Sequence, residues 1–282
     1  MRLYEKDFCK PNYEEVKAYN EYIEFHSRGV IDYSKEKDPI KKFKPSIREF
    51  IFRAESKFPN NVFFRENMDT KSAKVEANLF KIELDKSTNE SDIQSYIKNN
   101  RKWYIPASII KGYNFGHKEN YIFPEMKFGS SYICDYLICG RNSDGYNLLF
   151  IEFEDANVSF VNSDMNRKAK GLNSGLGQID NWKLWLSDNR QFFLNEHGFT
   201  DKNINVPLNR IFFCLVVGRR KRMSTLDRNR KNQLMYERSN LAIINYDRIV
   251  DYMEQLNFGY CGLLSDDTVE LYTRREGKYK MI

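Results

Sequence analysis

Two short stretches constrain this chain more than any others. "SYICDYLI" (131–138) and "YNLLFIEFE" (146–154) are apolar and rich in aromatic and β-branched residues, and the polar turn "GRNSDG" (140–145) joins them. Such a pair reads as an antiparallel β-hairpin. Strand side chains alternate between two faces. Leu148, Phe150, Glu152 and Glu154 then share one face, and Leu149, Ile151 and Phe153 the other. In the partner strand Ile133, Asp135 and Leu137 share a face. Three acids therefore interrupt apolar rows, and Asp135 meets Glu152 if the register pairs them. Carboxylates gathered on a half-buried surface repel, and an unpaired buried charge is costly. Something positive must stand beside them. It is either an Arg or Lys forming a structural ion pair, or a hard cation such as Mg²⁺, which takes one or two carboxylates plus water and phosphate.

The surrounding pattern sets the fold class. "TNESDIQSYIKNNRKWYI" opens with helix-start residues and carries Ile93, Tyr96 and Ile97 at helical spacing. Residues 105–130 read as irregular. "SGLGQIDNWKLWLSDN" (174–189) reads as a helix with Gln178 in its first turns and Gln178, Trp182 and Trp185 on one face. "RIFFCLVVG" (210–218) is apolar on both faces and reads as a central strand. "LAIINYD" (241–247) is a further strand, with Asp247 placed to cap the helix "RIVDYMEQL". Alternation of strands and helices predicts an α/β fold, a mixed sheet flanked by helices. Residues 1–85 read as a smaller α+β unit: a helix stopped by Gly29, then strand-like pieces "SIREFIFRAE", "NVFFREN" and "AKVEANLFKIEL". Residues 86–282 form the second unit.

Composition removes several function classes. The longest apolar runs are too short to span a bilayer, and "MRLYEKDFCKPNYEE" has no secretory apolar segment. Five cysteines without a CxxC read as reduced packing residues of a cytoplasmic protein, and three scattered histidines argue against zinc. The net charge is +6, and residues 218–233 alone carry seven Arg or Lys against Asp227. Arg219, Arg220, Lys221 and Arg222 follow directly on the central strand, where they can meet phosphates or simply form a solvated face.

An Asp on one strand, Glu-x-Lys or a variant on the next, and then a helix carrying Gln resembles the PD-(D/E)XK nuclease superfamily. More narrowly, the ordered blocks "ESDIQSYIKNNRKWYI", "SYICDYLI", "LLFIEFED", "GLGQIDNWKLWL" and "RIFFCLVVGRRKRMSTLDRNRKNQ…LAIINYDRIVDYM" resemble the Shedu (SduA) anti-phage defence family over about residues 88–257. The resemblance implies a restriction-endonuclease-like core and Mg²⁺-dependent cleavage of DNA (Mn²⁺ as a substitute) by a homo-oligomer. It implies Asp135 and Glu152 as metal ligands, Gln178 as the motif glutamine and Glu90 as the preceding helix acid. Glu154 departs from it, standing where the common pattern has Lys. It can ligate a second metal or act as general base. Lys168 and Lys170, before Gln178, are candidates for the missing cation and for contact with DNA. The alternative is a catalytically silent nuclease fold that binds nucleic acid as a sensor or scaffold.

Overall fold

The structure is a computed structural model. It describes residues 3–27, 39–65, 70–116, 119–158 and 170–254, together with the short strands Tyr260–Cys261, Tyr272–Arg275 and Lys278–Met281. Its centre is a five-stranded mixed sheet. Strands β1 (Asn120–Phe128), β2 (Tyr132–Asn142) and β3 (Gly145–Phe153) are antiparallel neighbours, and β4 (Ile211–Val216) and β5 (Leu241–Ile244) continue the sheet in parallel. Helices cover both faces, as the α/β reading expects. One face packs against α3 (Thr70–Lys86), α4 (Glu90–Asn99), α5 (Tyr104–Ala107) and α8 (Tyr246–Glu254). The other packs against α6 (Lys170–Glu196) and α7 (Thr225–Glu237).

Local chemistry fixes the elements around the site. Asn89 and Asp92 form a reciprocal capping box at the start of α4, and Ile93 and Ile97 face the core. Cys134, Cys139 and Cys214 are buried and free, packing as small apolar groups. β4 is buried between β3 and β5, which accounts for its apolar run.

Several expectations need correction. "SIREFIFRAE" is helix α2 (Pro45–Ala54), not a strand: Pro45 sits in the first turn, and Ile47, Phe50 and Ile51 are buried at helical spacing. "AKVEANLFKIEL" lies in α3, where Ala73, Ala77, Phe80 and Leu84 bury one stripe at spacings of four, three and four. The aromatic and β-branched residues suggested strands, but the spacing of the buried positions decided. α3 shares the main core, whereas α1 (Tyr13–Ser27) and α2 contribute to a separate small cluster around Phe50 and Ile51. Gly29, read as the stop of α1, lies outside the described residues. Residues 120–128, read as irregular, form β1; Pro124 and Glu125 interrupt its pattern, Glu125 with φ +54°. Asp247 does not cap α8. Asn245 Oδ1 accepts the Arg248 amide at 3.0 Å, and Asp247 binds Arg219 instead.

Candidate active site

The β2–β3 register settles the relation of the first two acids. Tyr136 pairs with Ile151, so the next pair along is Asp135 and Glu152. The regular ladder ends there. Asp135 Oδ2 takes the place of a backbone acceptor and receives the Phe153 amide at 2.7 Å. The alternation of β2 also slips at this point. Cys134 and Leu137, three residues apart, both face the α6 side, while Tyr136 and Ile138 face the α4 side. Asp135 therefore does not share a simple face with Ile133 and Leu137, as strict alternation predicts. In β1 the residue opposite is Glu125, between the pairs Pro124–Tyr136 and Met126–Cys134. Its left-handed backbone marks the same irregularity, a device by which strands re-aim side chains.

Glu152 and Glu154 lie at the end of β3, each 7% exposed. Glu154 continues the sheet through its amide, which donates to Val216 O at 2.8 Å, and its own carbonyl accepts the Tyr246 hydroxyl at 2.7 Å. Its side chain lies against α6 at Gly175. A Cβ on Gly175 would stand 2.4 Å from Leu215 Cδ1 and 3.0 Å from Glu154 Cγ. This close approach accounts for Gly175, whereas a Cβ at Gly177 meets nothing within 4 Å; α6 begins at Lys170, ahead of the predicted start at Ser174. That earlier start places Gln178 in the third turn of α6 rather than the first, half-buried. Gly175→Ala is expected to destabilise the protein by about 1–3 kcal/mol, since buried Leu215 and Glu154 must both move. Urea unfolding measures this, and an unchanged midpoint would contradict the packing.

Electrostatics mark these groups as a set. Burial pushes the Glu152 carboxyl well up from its usual range, and the charges of Asp135, Glu90 and Glu154 push it further. Burial likewise raises Asp135, opposed by the Phe153 amide and by the charge of Lys98. Glu154 is raised to about 7, first by burial and then by Glu90. Glu90, at the first position of α4, is raised by burial and by Asp155. Among the described residues none of the four forms an ion pair, which leaves the structural ion-pair reading without a partner there. Glu152 Oε2 is buried without a hydrogen-bond partner. Among the described residues no group of three or more His, Cys, Asp or Glu is placed to hold a metal ion. The Asp135–Glu152 pair remains, and two carboxylates are a normal protein share of Mg²⁺ coordination, with water and phosphate supplying the rest.

The sequence did not single out Gln94 or Lys98. Glu90, Gln94 and Lys98 recur every four residues on α4, a spacing that could have shown them. Gln94 is buried. Its Oε1 accepts the Tyr136 hydroxyl at 2.8 Å, and its Nε2 has no partner. Lys98 Nζ donates to Glu125 Oε1 at 2.6 Å.

The basic stretch is tied down within the fold. Arg219 is 2% exposed and bridges Asp247 (3.1 Å) and Asp85 (3.0 Å). Arg220 pairs with Asp251, Lys221 with Asp85 at 2.8 Å, and Arg222 donates to Asn157 O at 2.9 Å. The last three remain exposed. Lys168 lies outside the described residues, as does the side chain of Lys170.

The family model described as "Shedu protein SduA, C-terminal" matches residues 87–250, more than half of the chain. The chain belongs to the Shedu SduA family. The matched span of this Shedu chain contains Glu90, Asp135, Glu152, Glu154, Gln178 and the basic stretch. No curated protein matches it. Among solved structures it is similar to the restriction endonuclease FokI bound to DNA, at 12% identity and a TM-score of 0.36, covering 67% of this chain and 30% of that one. Among the described residues no helix is long and apolar enough to cross a membrane.

Proposed function

We propose that this protein is a divalent-cation-dependent DNA endonuclease of bacterial anti-phage defence, cutting phosphodiesters by hydrolysis. The observation that carries the reading is the buried, unpartnered Glu152 Oε2 opposite Asp135. A bound Mg²⁺ or Mn²⁺ would polarise the scissile phosphate and a water molecule. Asp135 and Glu152 would hold it. Asp135 is fixed by the Phe153 amide, which leaves its second oxygen free to ligate. Glu154 takes the proton of the attacking water, because a carboxyl raised to about 7 is poised for general base work near neutrality. The water oxygen bonds to phosphorus as the bond to the leaving ester oxygen breaks, and that oxygen takes a proton from solvent. Arg220, Lys221 and Arg222 hold the DNA backbone without reading sequence. Family membership supports the defence setting, a homo-oligomeric state and a cytoplasmic location, and the segment before α3, with its separate small core, would serve as a regulatory or assembly unit.

A second reading is a silent nuclease fold that binds DNA as a sensor. The carboxylate at 154, where a Lys is common, favours it. Plasmid and linear DNA incubated with the protein in Mg²⁺ or Mn²⁺ separate the two. Cleavage is expected, and Asp135→Ala is expected to lower it more than about 100-fold, beyond what loss of an outer-shell partner costs. DNA binding that persists in EDTA, with no cutting on any substrate, would instead establish the sensor.

A further inference from the structure

The carboxylate site lacks a cation on its own strand, and α4 brings one to it. Lys98 stands two turns beyond Glu90 on α4 and binds Glu125. Glu125 is the residue of β1 opposite Asp135, and its left-handed backbone belongs to the irregularity that re-aims Asp135. Lys98 is therefore held one strand away from the proposed metal ligands. Its side chain is mostly covered, 22% exposed, whereas Glu125 is 46% exposed. An ion pair with so exposed a partner is weakly held and exchanges readily for a phosphate. The four-carbon stem lets the ammonium swing without moving the helix.

We propose that Lys98 supplies the positive charge that the strand motif lacks at position 154, leaving Glu125 to engage a phosphate oxygen of DNA seated at the Asp135–Glu152 pair. This rests on the nuclease reading above. The ammonium keeps its proton throughout, so the hydrolytic step is unchanged. Lys98 only offsets charge that builds on the phosphate oxygens in the transition state. Gln94, between Glu90 and Lys98 on α4 and bonded to the neighbour of Asp135, keeps that turn of the helix in register with the strand.

The test compares Lys98→Gln, Lys98→Arg and Glu125→Gln with the parent. Cleavage kinetics are measured in Mg²⁺, and Mn²⁺ affinity is measured calorimetrically without DNA. Lys98→Gln is expected to lower kcat about 100-fold with KM for DNA little changed. It is also expected to bind Mn²⁺ about threefold more tightly, because a repelling cation is gone. A merely structural role would weaken both. Lys98→Arg is expected to restore most of the rate, and Glu125→Gln to raise it about threefold by releasing the ammonium. A parent that cuts, with Lys98→Gln cutting equally or Glu125→Gln losing as much as Lys98→Gln, overturns the role of Lys98 alone. A parent that neither cuts nor binds Mn²⁺ overturns the nuclease reading, and this inference with it.

Discussion

Glu152→Gln is expected to make the metal-free protein more stable and to abolish its cutting. The two effects have one cause. Glu152 is buried, its Oε2 has no partner, and Asp135, Glu90 and Glu154 add like charge around it. Its carboxyl is raised in the folded state, so the fold holds a proton that the unfolded chain gives up above about pH 4.3. The sign follows. Relative stability is greatest below the unfolded value and falls as pH rises toward the folded one. Asp135 and Glu154, raised in the same direction, add to the slope. Each unit of difference is worth about 1.4 kcal/mol. The amide has the same shape and no charge to desolvate, so the gain should be small at pH 5 and grow by up to about 1.4 kcal/mol per pH unit as far as pH 8. That corresponds to a rise in Tm of about 3–6 °C per pH unit for a domain of this size. A bound cation reverses the order, since it stabilises only the protein that can hold it. Mn²⁺ should therefore raise the Tm of the parent at pH 8 and leave Glu152→Gln unmoved. Calorimetry from pH 5 to 8, in EDTA and in Mn²⁺, measures all of this. A Glu152→Gln protein less stable than its parent at pH 8 would mean that the carboxylate is paired and that the site is structural.

What the sequence disclosed of this site depended on the range over which each interaction is set. The hairpin, the Glu152–Glu154 spacing and the capped start of α4 arise from neighbours along the chain, and all were legible. The placement of Asp135 was legible only in part. Alternation puts it beside Leu137, but the ladder slips where its side chain captures the Phe153 amide, and no periodicity records such a bond. α2 and α3 were misread because residue type suggested strands while the buried positions follow helical spacing. The first turn of α6 lay outside the predicted helix, and the reason for Gly175 within it lies far along the chain, at Leu215 on β4 and Glu154 just beyond β3. Lys98 lay hidden for the same reason: its partner, Glu125, is set by tertiary contact between α4 and β1.

Arg219 shows how far a run of like charges can mislead, and its replacement should separate the four cations sharply. Read along the chain, residues 219–222 are equivalent. In the fold, Arg219 alone is buried, joined to Asp247 at the start of α8 and to Asp85, 134 residues away at the end of α3. Arg219→Ala strips Asp247 of its cation at a buried junction and leaves Asp85 to Lys221, and breaking such a pair costs about 3 kcal/mol. A Tm loss of about 6–12 °C is expected. Lys cannot bridge two acids with a planar fork, so Arg219→Lys should recover only part of that loss. Lys221→Ala and Arg222→Ala, at the surface, should cost less than about 1 kcal/mol. DNA binding should order the same residues oppositely. Each exposed cation that touches a phosphate contributes about one unit to the slope of log affinity against log salt, so Lys221→Ala and Arg222→Ala should each lower it by about that much. Arg219→Gln, which removes the buried charge and is measured below its lowered Tm, should leave the slope as it was. If Arg219→Gln flattens the salt dependence as much as Lys221→Ala does, Arg219 reaches the DNA, and the junction between α3 and α8 must open when DNA binds.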